Sequence, residues 1–179
     1  PRRFGFNPIK DIQVLCPMNR GGVGARSLNI ELQAALNPAG EKKVERFGWI
    51  FAPGDKVMQI ENDYDKDIYN GDIGMIKDVD VDEGELAVDF EGRMVAFAFG
   101  ELDTLVPAYA ATIHKSQGSE YEHAIVVLPT HESRILTREL LYTGATRART
   151  KLTVIATPEV ISLAVNSPIR RATGLARRL

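Results

Sequence analysis

The sequence predicts an α/β protein in which a small antiparallel β unit is inserted into a frame built on a parallel sheet. Short apolar runs that suit covered parallel strands lie near both ends of the chain, with helical patterns beside them. The stretch between them carries period-two strands, tight turns and no helical pattern. We therefore expect residues 1–43 and 104–179 to form the frame and residues 44–103 to form the inserted unit.

The composition is that of a soluble globular protein, with 44% hydrophobic and 26% charged residues among 179. No apolar run approaches the roughly 20 residues needed to cross a bilayer, and no signal peptide is visible, so we expect a cytoplasmic protein without a membrane partner. The sequence begins with Pro1 and not with Met, which predicts a piece of a longer protein. The single cysteine, Cys16, excludes an internal disulfide and a cysteine-cluster metal site, and its apolar neighbours predict a buried thiol.

Charge is divided unevenly along the chain. Residues 44–107 hold 5 Lys or Arg against 16 Asp or Glu, a net charge of −11, whereas the rest holds 17 against 8, a net charge of +9. Phosphate-binding surfaces need positive potential, so a nucleic-acid contact should favour the frame. The alternative is that the two regions are simply solvated surfaces of opposite sign.

The frame begins with a strand, a glycine-rich turn and a helix. Residues 11–17 form a β-rich apolar run, and Arg20-Gly-Gly-Val-Gly24 follows it. Apolar residues then recur at helical spacing until Asn37-Pro38 ends the helix. Ligands of open α/β sheets bind beyond the carboxyl ends of strands, which is where Arg20 lies. The turn is not a P-loop, because Gly-x-x-x-x-Gly-Lys-Ser/Thr occurs nowhere in the chain.

The inserted unit is predicted to contain short strands joined by glycine turns. The strands are expected at residues 56–60, 73–76, 86–90 and 95–99. This pattern is typical of a small antiparallel barrel or a curled sheet. Its aromatic side chains could form core and rim, or they could stack on nucleic-acid bases. These aromatic residues include Trp49, Phe51 and Tyr64.

After the insertion the α/β pattern returns. A helix is expected to begin after Thr137, whose side chain can cap it. Small residues near one face of this helix, including Gly144, permit close packing on a sheet. The other elements are a buried strand, a polar loop, a second buried strand, a short helix and a basic tail, at residues 124–128, 130–135, 152–156, 158–165 and 170–178.

The most chemically varied stretch, Tyr109–Tyr121, lies between two apolar segments. It combines a histidine, a lysine, hydroxyls, an amide and a carboxylate, a mixture that a core-building connection does not need. We interpret it as a loop and short helix that bind ligands. His114 could instead be a neutral, hydrogen-bonded histidine, and Gly118 could simply cap a helical turn. The histidines lack the spacing of a metal ligand set, so no metal site is predicted.

Arg147 is the candidate residue for phosphate chemistry. It lies among threonines and small residues, four positions after Thr143, which suits a positioned guanidinium. Such an arginine stabilises the charge that develops on a transferring phosphoryl group, and Arg20 could supply a second positive group. The alternative is a plain surface charge.

Two stretches resemble late motifs of superfamily 1 DNA helicases. They are Thr112-Ile-His-Lys-Ser-Gln-Gly-Ser-Glu120 and Arg138-Glu-Leu-Leu-Tyr-Thr-Gly-Ala-Thr-Arg-Ala-Arg-Thr-Lys-Leu152. The resemblance is closest to the RecD-like group, the alpha subunit of exodeoxyribonuclease V. Residues 12–20, 56–62, 69–74 and 171–175 further resemble an earlier motif, two parts of the inserted barrel and the tail of that family.

This resemblance implies a RecA-like second motor domain, with helices on both faces of a parallel sheet and an inserted antiparallel SH3-like β-barrel. It also implies arginine fingers that reach the γ-phosphate of ATP, residues that line the nucleotide, and contacts to single-stranded DNA. The fingers would be Arg147 and Arg20, the nucleotide-lining residues Gly118 and Glu120, and the DNA contacts Thr112, His114, Lys115 and Ser116.

The implied function is that of the C-terminal part of an ATP-dependent DNA helicase of recombination and repair, moving 5′ to 3′. The implied cofactors are ATP and Mg²⁺. The implied partners are single-stranded DNA, the N-terminal motor domain of the same protein and other exodeoxyribonuclease V subunits. The family's P-loop lysine and acidic Mg²⁺ ligand are missing from this sequence, so we expect no ATPase activity, no unwinding and no bound cofactor from the chain alone.

Two other functions remain open at this point. The chain could be a non-catalytic module that binds nucleic acid or protein and keeps the motor shape, or it could be the helicase part of a conjugative relaxase. The barrel also has two interpretations. Its acidic charge favours a spacer or a partner-docking surface, whereas a cluster formed by Lys56, Lys66 and Lys77 would make it a DNA contact.

Overall fold

The computed structural model describes residues 5–129 and 135–167. The basic tail at 170–178 and most of the polar loop at 130–135 lie outside the described residues, as does the similar segment 171–175. Within the described ranges, no helix is both long and apolar enough to cross a membrane. In chain order the elements are β1 (Ile12–Cys16), α1 (Ala25–Leu36), β2 (Val44–Arg46), β3 (Trp49–Phe51), β4 (Lys56–Gln59), β5 (Ile73–Asp80), β6 (Glu85–Phe90), β7 (Arg93–Ala98), a 3₁₀ helix (Phe99–Thr104), β8 (Leu105–Pro107), β9 (Ala110–Thr112), β10 (Tyr121–Val127), α2 (Arg138–Ala145), β11 (Ala148–Ile155) and α3 (Pro158–Asn166).

The frame is a four-stranded parallel sheet in the order β11-β10-β1-β9. Neighbouring residues of β1 face opposite sides of this sheet. Leu15 packs with Leu140 of α2 in one buried cluster, to which α3 also contributes. Val14 faces the other side, where it lines an apolar cavity together with Leu32 of α1. Helices therefore cover both faces, which confirms the predicted α/β class.

Three local features of the frame differ from the sequence prediction. β9 is an additional parallel strand, which the sequence hides because alanine is depleted in strands. The short helix expected after it does not form, since residues 113–118 make turns. α2 ends at Ala145, so Arg147 lies in the turn after the helix, and β11 begins at Ala148, before the predicted strand start at residue 152.

The inserted unit is an antiparallel sheet in the order β7-β6-β5-β4-β8, with a separate β2–β3 hairpin. The predicted strands are confirmed as β4 to β7, but the sequence did not predict the hairpin. Phe47 and Gly48 have φ values of 54° and 75°, which is the geometry of a tight two-residue hairpin turn. Phe51 of the hairpin is fully buried in one cluster with Phe97 of the sheet. β8 pairs with β4, so the antiparallel sheet extends to Pro107, beyond the predicted boundary at residue 103.

Asp55 joins the inserted unit to the frame. Its carboxylate is fully buried and accepts four hydrogen bonds. The donors are Nε2 of Gln33 at 2.6 Å, Nδ2 of Asn37 at 2.7 Å, the amide N of Ala52 at 2.8 Å and the hydroxyl of Tyr109 at 2.6 Å. Burial, followed by the contact with Asp55, raises the pKa of Tyr109 far above its ordinary value. One carboxylate thus ties together α1, the turn before β4 and the residue that precedes β9.

Lys56 lies next to Asp55 in the chain and is 3% exposed. Its ammonium donates to the Ile12 carbonyl of β1 at 3.2 Å and lies 5.8 Å from the centre of the Tyr121 ring. Burial lowers the pKa of Lys56 to about 8, although the charge of Asp11 acts in the opposite direction. In this buried position Lys56 cannot serve as the surface cation that a DNA-binding barrel would need.

Cys16 is a fully buried free thiol, as predicted. Its Sγ donates to the Met18 carbonyl at 3.2 Å. Burial raises the pKa of Cys16 to about 11, so the reactive thiolate is scarce at neutral pH. The cysteine therefore acts as a small core residue.

Candidate functional site

Residues 113–120 form a compact loop between β9 and β10. Ile113 anchors its start, because this side chain is fully buried and its N–H donates to the Cys16 carbonyl at 2.9 Å. The N–H of Ser116 donates to the Thr112 carbonyl at 3.2 Å and closes the first turn. The loop follows a parallel strand at its carboxyl end, the position at which open α/β sheets bind ligands.

The four predicted DNA contacts divide into accessible and buried side chains. His114 and Lys115 are exposed, and Thr112 is half-buried. The Thr112 hydroxyl accepts a hydrogen bond from the N–H of Lys115 at 3.4 Å. Ser116 is fully buried, and its hydroxyl donates to the Ile113 carbonyl at 2.8 Å. In this geometry the Ser116 hydroxyl shapes the loop and does not face a strand at the surface, which departs from its expected role as a direct contact.

Arg147 fastens the end of α2 to this loop. Its Nη1 donates to the Ser119 carbonyl at 3.1 Å, and its Nε donates to the Thr143 carbonyl at 3.1 Å. Its Nη2 donates to the Thr146 hydroxyl at 3.2 Å. The link to Thr143 arises because the chain continues in a turn after the helix. The structure therefore holds the predicted arginine finger against the loop.

The two predicted nucleotide-lining residues flank Ser119 on that loop. Gly118 has a φ of +89°, and a Cβ at this position would meet nothing within 4 Å, so open space lies beside its backbone. Glu120 is exposed, and its Oε2 lies 3.8 Å from Nε of Arg149. Gly118, Glu120 and Arg147 are thus gathered at one end of the loop.

Arg149 is a residue of this region that the sequence reasoning missed. It lies 3.8 Å from Glu120 and 3.6 Å from Glu122, both measured between side-chain nitrogen and oxygen. The sequence signal that could have found it is the pair Glu120 and Glu122, two positions apart at the start of β10. Arg149 lies on β11, the strand that pairs with β10. Arg149 thus places a positive charge beside the carboxylates of Glu120 and Glu122.

Gly144 determines how closely α2 approaches the loop. A Cβ at this position would lie 3.1 Å from Cδ1 of Ile113 and 3.3 Å from Cγ2 of Val126. Real Cβ atoms rarely come so close, so a larger residue would push the helix away from the start of the loop. The prediction that small residues permit close packing here is confirmed.

Arg20 lies in the turn between β1 and α1, at the same edge of the sheet as the loop. Its side chain is exposed and makes no hydrogen bond or ion pair with the residues that the structure describes. The turn is tight, because a Cβ on Gly24 would lie 2.6 Å from the carbonyl carbon and oxygen of Arg20. A glycine at this position is therefore required by close backbone approach.

His123 is a buried histidine of β10 with a structural role. It is 6% exposed, and its Nε2 shares a hydrogen bond of 2.9 Å with the Thr153 hydroxyl. Burial, followed by the charge of Lys151, lowers the pKa of His123 and favours the neutral ring. In the part of the chain that the structure describes, no group of three or more His, Cys, Asp or Glu side chains is arranged to hold a metal ion.

The exposed cations of the inserted unit are largely paired within it. The nitrogen–oxygen distances are 2.8 Å for Lys66–Glu101, 3.1 Å for Lys77–Asp89 and 2.6 Å for Arg93–Asp67. Exposed pairs of this kind contribute little to stability, but they lower the positive potential that a phosphate would meet. The interpretation of the unit as a spacer or docking surface stays a prediction.

Family models match both parts of the chain. Residues 28–90 match the SH3 domain of ATP-dependent RecD-like DNA helicases, and residues 107–155 match the UvrD-like helicase C-terminal domain. Over 138 residues the chain is 42% identical to the ATP-dependent RecD2 DNA helicase of Deinococcus radiodurans, covering 77% of the chain and 19% of that protein. Over 178 residues it is 38% identical to the RecBCD enzyme subunit RecD of Mycolicibacterium smegmatis, covering 99% of the chain and 31% of that protein.

The fold is also shared with a solved helicase structure. The Pif1 helicase from Bacteroides, in complex with ADP-AlF3 and single-stranded DNA, matches with a TM-score of 0.59 and 17% identity, over 91% of this chain and 46% of that one. At this identity the likeness concerns the fold alone. The chain spans about a fifth to a third of the length of the two curated relatives. Together these findings confirm the resemblance of the two late motifs, and they show that the chain is homologous to part of RecD-like DNA helicases, with matches to the RecD-like SH3 domain and the UvrD-like C-terminal helicase domain.

Proposed function

We propose that this chain forms the second motor domain and the inserted SH3-like domain of an ATP-dependent DNA helicase of recombination and repair. The observation that carries the proposal is the 3.1 Å hydrogen bond from Arg147 to the Ser119 carbonyl. It links a candidate finger to a loop whose residues His114 and Lys115 face solvent. A change in the contacts of Arg147 would therefore reach the residues that meet the DNA strand.

On the nucleotide side, Arg147 would move from neutral oxygens to a phosphate. All three of its side-chain hydrogen bonds go to carbonyl or hydroxyl oxygens, and a charged phosphate oxygen is a stronger acceptor. Bound ATP supplies the phosphoryl group that is transferred to water. Arg147, with Arg20 as a second cation, would stabilise the charge that develops during that transfer. The open space beside Gly118 and the exposed carboxylate of Glu120 fit a nucleotide at this edge.

On the DNA side, we assign direct contacts to Thr112, His114 and Lys115. Their side chains are exposed or half-buried on the outer side of the loop. Lys115 would pair with a phosphate, and the other two would donate hydrogen bonds to the backbone. Ser116 would act as a positioning residue, because its buried hydroxyl holds the turn that presents the others.

The parts of the motor that this chain does not contain would be supplied by its partners. The P-loop sequence does not occur in this chain, and the family resemblance places the P-loop lysine and the acidic Mg²⁺ ligand in a first motor domain, so both would come from the N-terminal motor domain of the same protein. The chain alone would then hydrolyse no ATP. Because one relative is a RecBCD enzyme subunit, other exodeoxyribonuclease V subunits are the further partners that we propose.

The test is Arg147→Ala in the full-length protein that contains this chain. The turnover number for single-strand-stimulated ATP hydrolysis should fall by about 10³-fold or more, because arginine fingers contribute about 10³–10⁵ to such rates. Affinity for an oligo(dT) strand should remain largely intact. Arg147→Lys should recover little turnover, since a lysine cannot reproduce the forked hydrogen bonds.

The matched control is Arg138→Ala at the start of α2. Arg138 is exposed and lies 3.8 Å from Glu139, away from the loop. Its removal should leave both turnover and DNA affinity unchanged. Lost DNA binding with normal turnover in Arg147→Ala, or normal turnover with normal binding, would contradict the assigned role. A wild-type protein that binds single-stranded DNA without turning over ATP would favour the non-catalytic module.

A further inference from the structure

A cavity of about 220 Å³ lies where the inserted unit meets the frame, directly beside the proposed DNA loop. Its floor is apolar and includes Met58 of β4 and Ala111 of β9. Its rim includes Thr112 and Lys115 from the loop region and Trp49 from β3. The cavity is thus continuous with residues already proposed to meet the strand.

Trp49 forms one wall of this cavity as a positioned aromatic ring. The hairpin turn at Phe47 and Gly48 sends β3 back so that Trp49 packs partly on the barrel core. The guanidinium of Arg26, from α1, lies 4.7 Å from the centre of the Trp49 ring. Nη2 of Arg26 also donates to the Gly48 carbonyl at 3.5 Å, which ties the hairpin to the frame. The planar guanidinium of Arg26 therefore stacks on the indole ring of Trp49 at the mouth of the cavity.

The charge of the cavity differs from that of the barrel around it. Among the described residues that line it there is no Asp or Glu, whereas Arg26 and Lys115 are both present. Residues 44–107 carry a net charge of −11, so this is an unusual place at which an acidic unit can approach a phosphate backbone. The cations are supplied by the frame and not by the barrel.

The size and polarity of the cavity fit one nucleobase. Pockets for whole small ligands are larger, roughly 300–1,000 Å³, so the sugar and phosphate would remain outside. Asn29 lines the cavity, but its amide group is occupied on both sides: Nδ2 donates to the Ala110 carbonyl at 2.8 Å, and Oδ1 accepts from the Ala110 N–H at 2.8 Å. The Asn29 amide is therefore not available to read a base edge, and we assign the main hold on the base to stacking, which tolerates different sequences.

We propose that this cavity holds one base of the single-stranded DNA, stacked at Trp49 and Arg26, with the adjoining phosphate paired to Lys115. The proposal rests on the proposed function, because it takes the strand at residues 112–115 as given. It assigns to the inserted unit a direct role in gripping DNA, at a corner where cations from the frame lie beside its acidic surface.

The experiment measures binding of a fluorescent oligo(dT) strand to the full-length protein. Trp49→Ala should weaken binding by about 5- to 150-fold, because stacking of a base on an aromatic ring contributes roughly 1–3 kcal/mol. Trp49→Phe should retain most of the affinity. Tyr64→Ala is the matched control, since Tyr64 is a barrel aromatic that is 76% exposed and does not line the cavity. It should leave affinity unchanged.

A second measurement separates lost stacking from damaged folding. Oligo(dT) strands with a single abasic position are compared in turn. One position should weaken binding to the wild type but not to Trp49→Ala, which cannot stack a base in any case. Both proteins should keep the same salt slope, whereas Lys115→Ala should lower it by about 0.7, the value for one single-strand phosphate contact.

The outcomes distinguish this inference from the proposed function. If the wild type binds oligo(dT) through Lys115 but Trp49→Ala binds equally well, the cavity proposal is overturned and the DNA loop stands. Equal losses at the same abasic position in the wild type and in Trp49→Ala would also overturn it. If the wild type binds no single strand, the proposed function itself fails.

Discussion

The junction between the inserted unit and the frame holds its charged groups in the opposite way to the ligand edge of the frame. At the junction, Asp55 is fully buried and each carboxylate oxygen accepts two hydrogen bonds. At the ligand edge, Arg147 is half-buried and donates only to neutral oxygens among the residues that the structure describes, while His114 and Lys115 face solvent. The Asp55 carboxylate therefore receives its hydrogen bonds from within the chain. The charged groups of the ligand edge can form stronger interactions with a ligand from outside the chain.

This difference predicts where substitutions act. A buried charge with all its partners leaves several polar groups unpaired when it is removed, so junction variants should lower the free energy of unfolding. A half-buried guanidinium on carbonyl oxygens contributes little to folding, so edge variants should change ATP turnover and DNA binding instead. The following predictions test that division, beginning with the largest effect.

Asp55→Ala should give the largest loss of stability. It leaves the side-chain donors of Gln33, Asn37 and Tyr109 and one backbone N–H without their acceptor in a buried place. We expect the free energy of unfolding to fall by about 3–5 kcal/mol, as for other broken buried networks. Urea denaturation followed by circular dichroism measures it.

Asp78→Ala is the matched control for that prediction. Asp78 pairs with Lys42 at 3.1 Å, but its side chain is 58% exposed. The loss should stay below about 1 kcal/mol, as for other surface pairs. Similar losses in the two variants would mean that burial of Asp55 contributes nothing special, and the division between junction and edge would fail.

Much of the fold could be predicted from the sequence because periodicity and turn chemistry are local signals. The strands β1, β10 and β4 to β7 lie where apolar or alternating runs placed them. β9 escaped because it has only three residues and is fixed by its pairing with β1. The residues of β8 could be predicted as extended, but not their pairing with β4. Pairing between distant segments is a tertiary property that a local pattern does not contain.

The sequence could predict which residues form the site but not where their side chains point. The motifs named Arg147, Gly118 and Glu120, and the structure gathers them at one end of the loop. Whether a residue in such a loop points outward depends on turn geometry, so the inward direction of the Ser116 hydroxyl could not be inferred. The cavity beside Trp49 depends on the contact between hairpin and α1, which no sequence spacing records.

Lys56→Met should change how the free energy of unfolding depends on pH. In the folded chain the pKa of Lys56 is about 8, below its ordinary value of 10.5. Between these values the unfolded chain binds more protons, so Lys56 makes wild-type stability rise with pH across this window. The stability of Lys56→Met relative to the wild type should therefore be greatest below pH 8 and should decline towards pH 10.5, by about 3 kcal/mol in total.

Comparing Lys56→Met with the wild type at each pH also cancels the contributions that the other buried titrating groups make to stability. The raised pKa values of Cys16 and Tyr109 make stability fall with rising pH above about 9, but they do so in both proteins. Lys77→Met is the control, because Lys77 is 46% exposed and pairs with Asp89 at the surface. Its stability difference from the wild type should not follow the same decline. A flat difference for Lys56→Met would mean that the ammonium is not buried as described.

Among the substitutions Asp55→Ala, Lys56→Met and Gly24→Ala, the last should give the smallest change in stability, and it should act at the ligand edge. The new Cβ would lie 2.6 Å from backbone atoms of Arg20, which cannot swing aside as a side-chain tip would. The turn must shift, at a cost of about 1–2 kcal/mol in unfolding free energy, and it carries Arg20 with it. Gly22→Ala is the matched control in the same turn, since a Cβ there meets nothing within 4 Å.

If Arg20 reaches the nucleotide, ATP turnover by full-length Gly24→Ala should fall to the level of Arg20→Ala, while Gly22→Ala keeps wild-type turnover. Turnover is measured well below the melting temperature of Gly24→Ala. Normal turnover in both Gly24→Ala and Arg20→Ala would remove Arg20 from the site and leave Arg147 as the finger of this edge.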